Sequence, residues 1–309
     1  MKAIMYHYVR EHDETHPTFR FLDFGKFKKQ LDLFGDRFGF VEKQEWFDFI
    51  HSGKMPKTPG KILLTFDDAV SCHYRYVFPE LLKRHLWGLF YVPTLPYRSG
   101  KILNVHRIHL LCGALDGETL LNTALKLTSE AMIPDSKRQA FTDKTYCNQN
   151  NYKGVTQFKR LLNYFIDYKY RADVIDEVAS ILGYQFGDVA DFYVDLDSLS
   201  KMKDQGMIMG SHGDSHSVMS ELKPDEQLKD IQESFLFLEG IGVTDVRTYC
   251  HSHGGFHSFN SDTIRILGDL KVAYSFNVEP RDIKENDFVS SRQHLPRYGC
   301  HQFEHGQAS

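Results

Sequence analysis

The chain has 309 residues, enough to bury a large core as one barrel-sized domain or two ordinary ones. Hydrophobic residues at 41% and charged residues at 25% exclude a disordered or fibrous chain, and a formal net charge of −4 argues against a general nucleic-acid binder. No apolar run is long enough for a transmembrane helix. The N-terminal stretch MKAIMYHYVREHDE reaches charge too soon for a signal peptide, so the cytoplasm is the default expectation. Cys72, Cys112, Cys147, Cys250 and Cys300 are widely and unevenly spaced; without an export signal or CxxC spacing they read as free thiols.

In chain order, Lys2 to Tyr6 reads as a short strand with His7 at its tip. Phe27, Leu31 and Phe34 recur at i, i+4, i+7 and predict a helix facing a core. Ile62 to Phe66 is a second strand, running straight into Asp67 and Asp68, and a helix around Pro79 to His85 follows it. Trp87 to Val92 is a third strand, closed by Pro93 and Pro96. Strand, helix, strand in this order predicts parallel βα units.

From about residue 104 to 190 the pattern turns helical and polar. Phe158, Leu161, Leu162 and Phe165 mark one helix; Val174, Ile175, Val178, Ile181 and Leu182 mark another, with the polar KTYCNQNNYKG before them. This region reads as a helical insertion within a single domain spanning 1–309. Its stripes suit packing on the scaffold and are equally open to a homo-oligomer contact. Alternation resumes with strands at Met207 to Gly210, Val246 to Cys250 and Val272 to Phe276, and Pro224 and Asp225 start a helix between the first two. Each strand stops at a polar tip. In a parallel α/β barrel such tips converge on one face, which carries the chemistry.

Two adjacent aspartates at a strand end repel one another unless a cation or hydrogen bond intervenes. An Asp pair there is most often a plain surface turn. The stretch GSHGDSHSVMS, however, sets His212 and His216 four apart after another strand, and two imidazoles at that spacing reach one ion if the loop makes a helical turn. An HxxxH alone is a weak signal among 16 histidines. With an Asp it completes a His-His-Asp set that leaves coordination positions open, as catalytic rather than structural metal sites do. One carboxylate is then neutralised by a divalent cation and the other stays free as a base.

TFDD followed by SHxxxH resembles the NodB-type polysaccharide deacetylases, carbohydrate esterase family 4. MYHYV, FYVPT and DLDSLSKMKDQGMIMGSH are similar to the family's connecting features. The closing stretch FNVEPRDIKENDFVSSRQHLPRYGCHQF resembles the end of members found in surface-polysaccharide gene clusters. The resemblance covers about residues 1–98 and 191–303. It implies a distorted (β/α) barrel and metal-dependent removal of an N-acetyl group from an amino sugar, in a surface glycan, its lipid-linked precursor or a sugar nucleotide. Asp68, His212 and His216 match the metal ligands and Asp67 the catalytic base. Zinc suits one hard oxygen and two borderline nitrogens; cobalt and nickel also fit.

The departures are specific. The family usually has Ser or Thr after the first histidine, where this chain has Gly213. The third-motif arginine is absent, with Cys250 aligned to it, and Arg297 in LPRY is the candidate to supply its charge from another strand. The usual C-terminal Leu-x-His motif is also not evident. His294, His301 and His253 are candidates for the general acid, each alone more simply a packing or surface histidine, and His7, Tyr249 and His253 are candidates to border the substrate. The same machinery would serve a deformylase or another amidase. The altered motifs also leave open a catalytically silent carbohydrate-binding protein, or a scaffolding role through the insertion.

Overall fold

The computed structural model describes residues 1–143, 145–146 and 151–308, which form two compact units. The first comprises Met1–Glu11, Phe21–Gly100 and Val189–Ser309; the second comprises His12–Arg20 and Lys101–Asp188. The free thiols Cys72, Cys112, Cys250 and Cys300 form no disulfide, and Cys147 lies outside the described residues.

The first unit is built on a parallel sheet of β1 (Lys2–Tyr6), β2 (Ile62–Asp67), β3 (Leu89–Val92), β4 (Ile208–Ser211), β5 (Thr248–Cys250), β6 (Tyr274–Phe276) and β7 (Tyr298–Gly299), in the order β6-β5-β4-β3-β2-β1-β7. The ring is closed by one segment. Leu295 bridges in parallel to Phe276 of β6, and three residues later Tyr298 and Gly299 pair with Ile4 and Met5 of β1. The sheet thereby curls into a barrel whose strands all end on one face.

Strand alternation divides the core. Ile62, Leu64, Phe66, Phe90, Val92 and Met209 pack outward against helices, including Phe27, Leu31 and Phe34 of α1 (Phe24–Arg37). Leu63, Leu89, Tyr91, Cys250, Tyr274 and Phe276 cluster on the other face with Trp46 and Phe49 of α2 (Lys43–Ser52). Each such side chain, fully buried, contributes roughly 1.5–3 kcal/mol. The α1 stripe is framed by Asp23, whose carboxylate accepts the Lys26 N–H at 3.0 Å and starts the helix. Three strands begin two residues later than the sequence pattern predicts, because the leading apolar residues (Trp87, Val246, Val272) precede the start of the ladder.

The second unit has its own core, with Ile108 and Leu111 packed on Leu120, Phe158, Leu162, Ile175 and Val178. Its helices are Asn104–Ala114, Gly117–Leu127, Asp135–Phe141, Val155–Arg160 and Tyr168–Ile181. Residues 12–20 join it through Thr18, whose N–H reaches Gly113 O at 3.0 Å. A Cβ on Gly113 would come within 2.7 Å of the Phe19 ring, so the glycine permits that close approach.

Candidate active site

β2 drives Asp67 to the barrel interior, where it is 2% exposed. Burial alone pushes its carboxyl up. Arg297, beside it and 0% exposed, reverses this: Nη1 donates to Oδ1 and Nη2 to Oδ2, both at 2.8 Å. With help from His212 the carboxyl comes down to about 2. Arg297 Nη1 also donates to Thr65 Oγ1 at 3.0 Å, and Nη2 lies 2.9 Å from Cys250 Sγ. The guanidinium thus arrives from the closing segment next to the cysteine that aligns with the family's arginine.

Asp68 turns out of the strand at φ +81 and Ala69 follows at φ +49. Left-handed backbone at residues other than glycine is costly and concentrates at functional sites. The turn separates the two carboxylates: Asp67 faces Arg297, and Asp68 Oδ1 faces His212 Nε2 at 3.6 Å and His216 Nε2 at 3.3 Å. His212 is placed by its N–H bond to Val92 O at 3.0 Å. Its Nδ1 lies 2.8 Å from Cys250 O, a contact only a proton on Nδ1 can make, so Nε2 presents a lone pair. Burial, reinforced by His216, brings the imidazole down to about 4 and keeps it neutral. The expected helical turn between the histidines is not present. His212 and His216 meet, ring centroids 4.7 Å apart, across a non-helical loop with Gly213 at φ +76 and His216 at φ +54.

One carboxylate oxygen and two imidazole nitrogens, all buried, lie within 4.8 Å of one another in this trio. A tetrahedral zinc with ligands at about 2.1 Å sets neighbouring donors about 3.4 Å apart, so the Asp68 contacts suit such an ion. Asp67, His212 and Cys250 form a second cluster of the same span, but there both Asp67 oxygens are taken by Arg297.

The remaining candidates divide. His7 Nε2 lies 4.0 Å from Asp67 Oδ2 with its side chain 39% exposed, and its backbone O receives His73 Nε2 at 2.6 Å. His253 Nε2 lies 3.2 Å from His216 O at the rim of the trio. Tyr249 is a correction as a substrate contact: it is 0% exposed, because alternation in β5 turns it outward into the core with Ile231 and Phe235 while Cys250 points in. His294 is a second correction. It precedes inward-facing Leu295, and its ring packs among aromatic side chains, against Phe256 and Phe259, 5.7 and 6.1 Å between centroids. His301 lies exposed in the turn Cys300–Gln302, and the site does not include it. Sequence reasoning missed Thr65, whose only signal is a polar residue within an apolar strand, and His73 and Asp230, which nothing local marks.

Residues 177–275 match the polysaccharide deacetylase family model, a span that includes both histidines and not the aspartate pair. The fold is similar along nearly its whole length to the Streptococcus pyogenes deacetylase PplD in complex with acetate, at 14% identity and TM-score 0.60, covering 97% of this chain and 91% of that one. The resemblance to the NodB-type polysaccharide deacetylases holds. IcaB from Ammonifex degensii is similar at 17% identity and TM-score 0.50, covering 89% of this chain and 82% of that one. The BpsB deacetylase domain from Bordetella bronchiseptica is similar at 14% and 0.52, covering 96% and 94%. No curated protein matches the chain. The curled parallel sheet is thus the NodB-type distorted (β/α) barrel.

Proposed function

We propose that this protein is a metal-dependent hydrolase that removes an N-acetyl group from an amino sugar, in a surface glycan or its precursor. The observation that carries the reading is the pairing of two differently served carboxylates: Asp68 beside the two imidazoles of His212 and His216, and Asp67 ionised against Arg297. The acetate bound in the similar deacetylase PplD is the product such chemistry releases. The closing stretch that resembles family members from surface-polysaccharide gene clusters supports the choice of substrate.

Asp68, His212 and His216 would hold the ion, zinc by the chemistry of the donor set. When bound, a divalent metal makes hydroxide available at neutral pH and polarises the acetyl carbonyl. Asp67 is ionised at neutral pH and accepts a proton, while Arg297 fixes its direction by gripping both oxygens. Because Arg297 also lowers its basicity, Asp67 holds that proton weakly and readily passes it on. Expulsion of the sugar amine needs a proton, and His7 is the half-exposed imidazole nearest Asp67.

The test is acetate release from a panel of N-acetylated oligosaccharides and sugar nucleotides, with and without chelator. Release that chelator abolishes and zinc restores is the expected result. Release insensitive to chelator defeats the metal reading. Sugar binding with no release from any member would identify a silent carbohydrate binder.

A further inference from the structure

The loop joining the two histidines has no helix of its own to hold it. Thr94 and Leu95, just beyond β3, donate their N–H groups to Gly213 O at 3.2 Å and Asp214 O at 2.9 Å. Thr94 Oγ1 donates to Asp214 Oδ1 at 2.7 Å and Ser252 Oγ to His212 O at 2.9 Å, and one face of α3 (Pro224–Gly240) adds the support of the loop's first half.

Asp230 of α3 is 8% exposed and receives three bonds from this loop. Its Oδ1 accepts the N–H of Asp214 at 2.8 Å; its Oδ2 accepts the N–H of Ser215 at 3.0 Å and the Ser215 hydroxyl at 2.5 Å. Three residues on, Glu233 accepts from Arg98 Nη1 at 2.6 Å, and the same nitrogen donates to Asp214 Oδ1 at 3.0 Å. Four residues on, Ser234 Oγ meets Ser211 Oγ, which accepts the N–H of Gly213 at 3.0 Å. Positions i, i+3 and i+4 share a helix face, so a single face of α3 grips the segment from Ser211 to Ser215.

The grip also accounts for the glycine where the resembling family has Ser or Thr. A Cβ on Gly213 would stand 2.7 Å from Asp230 Oδ1, at a φ of +76 that side chains avoid. A side chain at 213 and a carboxylate at 230 exclude one another.

We propose that Asp230 is the positioning residue of the metal-ligand loop, setting the approach of His212 and His216, and that Gly213 is the residue its carboxylate requires. The inference rests on the reading of Asp68, His212 and His216 as a metal site. A carboxylate is needed because all three partners are donors. An amide would turn its NH₂ toward one of them, losing a bond and opposing donor to donor.

The test is zinc affinity of the full chain, by competition with a chromophoric chelator, beside the melting temperature of the metal-free protein. Asp230→Asn should bind zinc about 10–100-fold more weakly, as loss of outer support for metal ligands does. Its cobalt absorption spectrum should shift with the altered ligand geometry. Gly213→Thr should also weaken zinc, and adding Asp230→Ala should recover part of that loss by removing the clash. Asp230→Asn with a lower melting temperature but unchanged zinc affinity would overturn the proposal, leaving Asp230 a structural residue only. If Asp230→Asn does not fold, Ser215→Ala removes just the hydroxyl arm. About a two- to tenfold weaker affinity then supports the proposal, and no change overturns it. Wild-type protein that binds no zinc, cobalt or nickel overturns the metal reading and this proposal together.

Discussion

Arg297 grips both oxygens of Asp67, although 230 residues of chain separate the two. Removing one partner of such a buried pair strands the other charge and costs about 3–5 kcal/mol. Arg297→Met should therefore lower stability in urea by that order, while Asp67, left to burial alone, titrates at higher pH. The acid limb of the acetate-release profile should move up, and kcat should fall at least about 10²-fold. Arg297→Lys should not rescue, since an ammonium cannot serve both oxygens. An unshifted acid limb in Arg297→Met would remove Arg297 from the site's chemistry.

The two carboxylates should separate cleanly. Asp67→Asn is expected to retain most zinc and lose orders of magnitude in rate, whereas Asp68→Asn should lose both. Zinc content after dialysis, set beside single-turnover acetate release, decides. Equal zinc loss in the two variants would merge their roles.

His73 and His251, 0% and 1% exposed, should make the fold acid-sensitive. Burial lowers them to about 4 and about 3, with hydrogen bonds to backbone O atoms opposing it in part. Their folded values lie below the ordinary histidine value, so below about 6.5 the unfolded chain binds more protons. Their contribution is fully present above that pH and is lost as pH falls toward 4 and then 3, by up to about 1.4 kcal/mol per pH unit for each. Urea midpoints measured from pH 7 to 4 should fall along this slope. His73→Phe should flatten it, and a slope unchanged in that variant would take His73 out of the account.

The tyrosines of the helical unit should behave differently from each other. Tyr146 packs 5.6 Å from Tyr164 between ring centroids, under Lys159 Nζ at 4.5 Å, and Tyr152 is 71% exposed. Tyr146→Ala should destabilise by about 3 kcal/mol, in the range of large aromatic truncations. If this unit shapes substrate choice, Tyr152→Ala should change KM or sugar preference with stability altered by less than about 0.5 kcal/mol. Unchanged kinetics together with a dimer turned monomer would make the unit an assembly element.

Strand tips were legible because apolar runs stopping at Asp67, His212 and Cys250 follow from period and termination alone. Their side-chain directions were not. Tyr249 and Cys250 are neighbours, and only the register of β5 against β4 decides which faces the barrel. His294 was misjudged for the same reason, one residue short of inward-facing Leu295. The attachment of residues 12–20 to the helical unit escaped notice because its deciding contact, Phe19 on Gly113, is remote in sequence. Asp230 stood unmarked beside Ile231 in an ordinary amphipathic stripe, since nothing local distinguishes a brace from a solvated carboxylate.

The segment from Leu295 to Gly299 joins β6 to β1 and delivers Arg297 between the two contacts. During synthesis Asp67 emerges 230 residues before its counter-charge exists. Until then a buried, ionised Asp67 is prohibitively costly, so the pocket cannot form in its working state. A ribosome that stops short of residue 297 leaves a protein lacking the last stave of its barrel and the charge on its base in one event. Addition of the closing segment and activation of the site are thereby the same step.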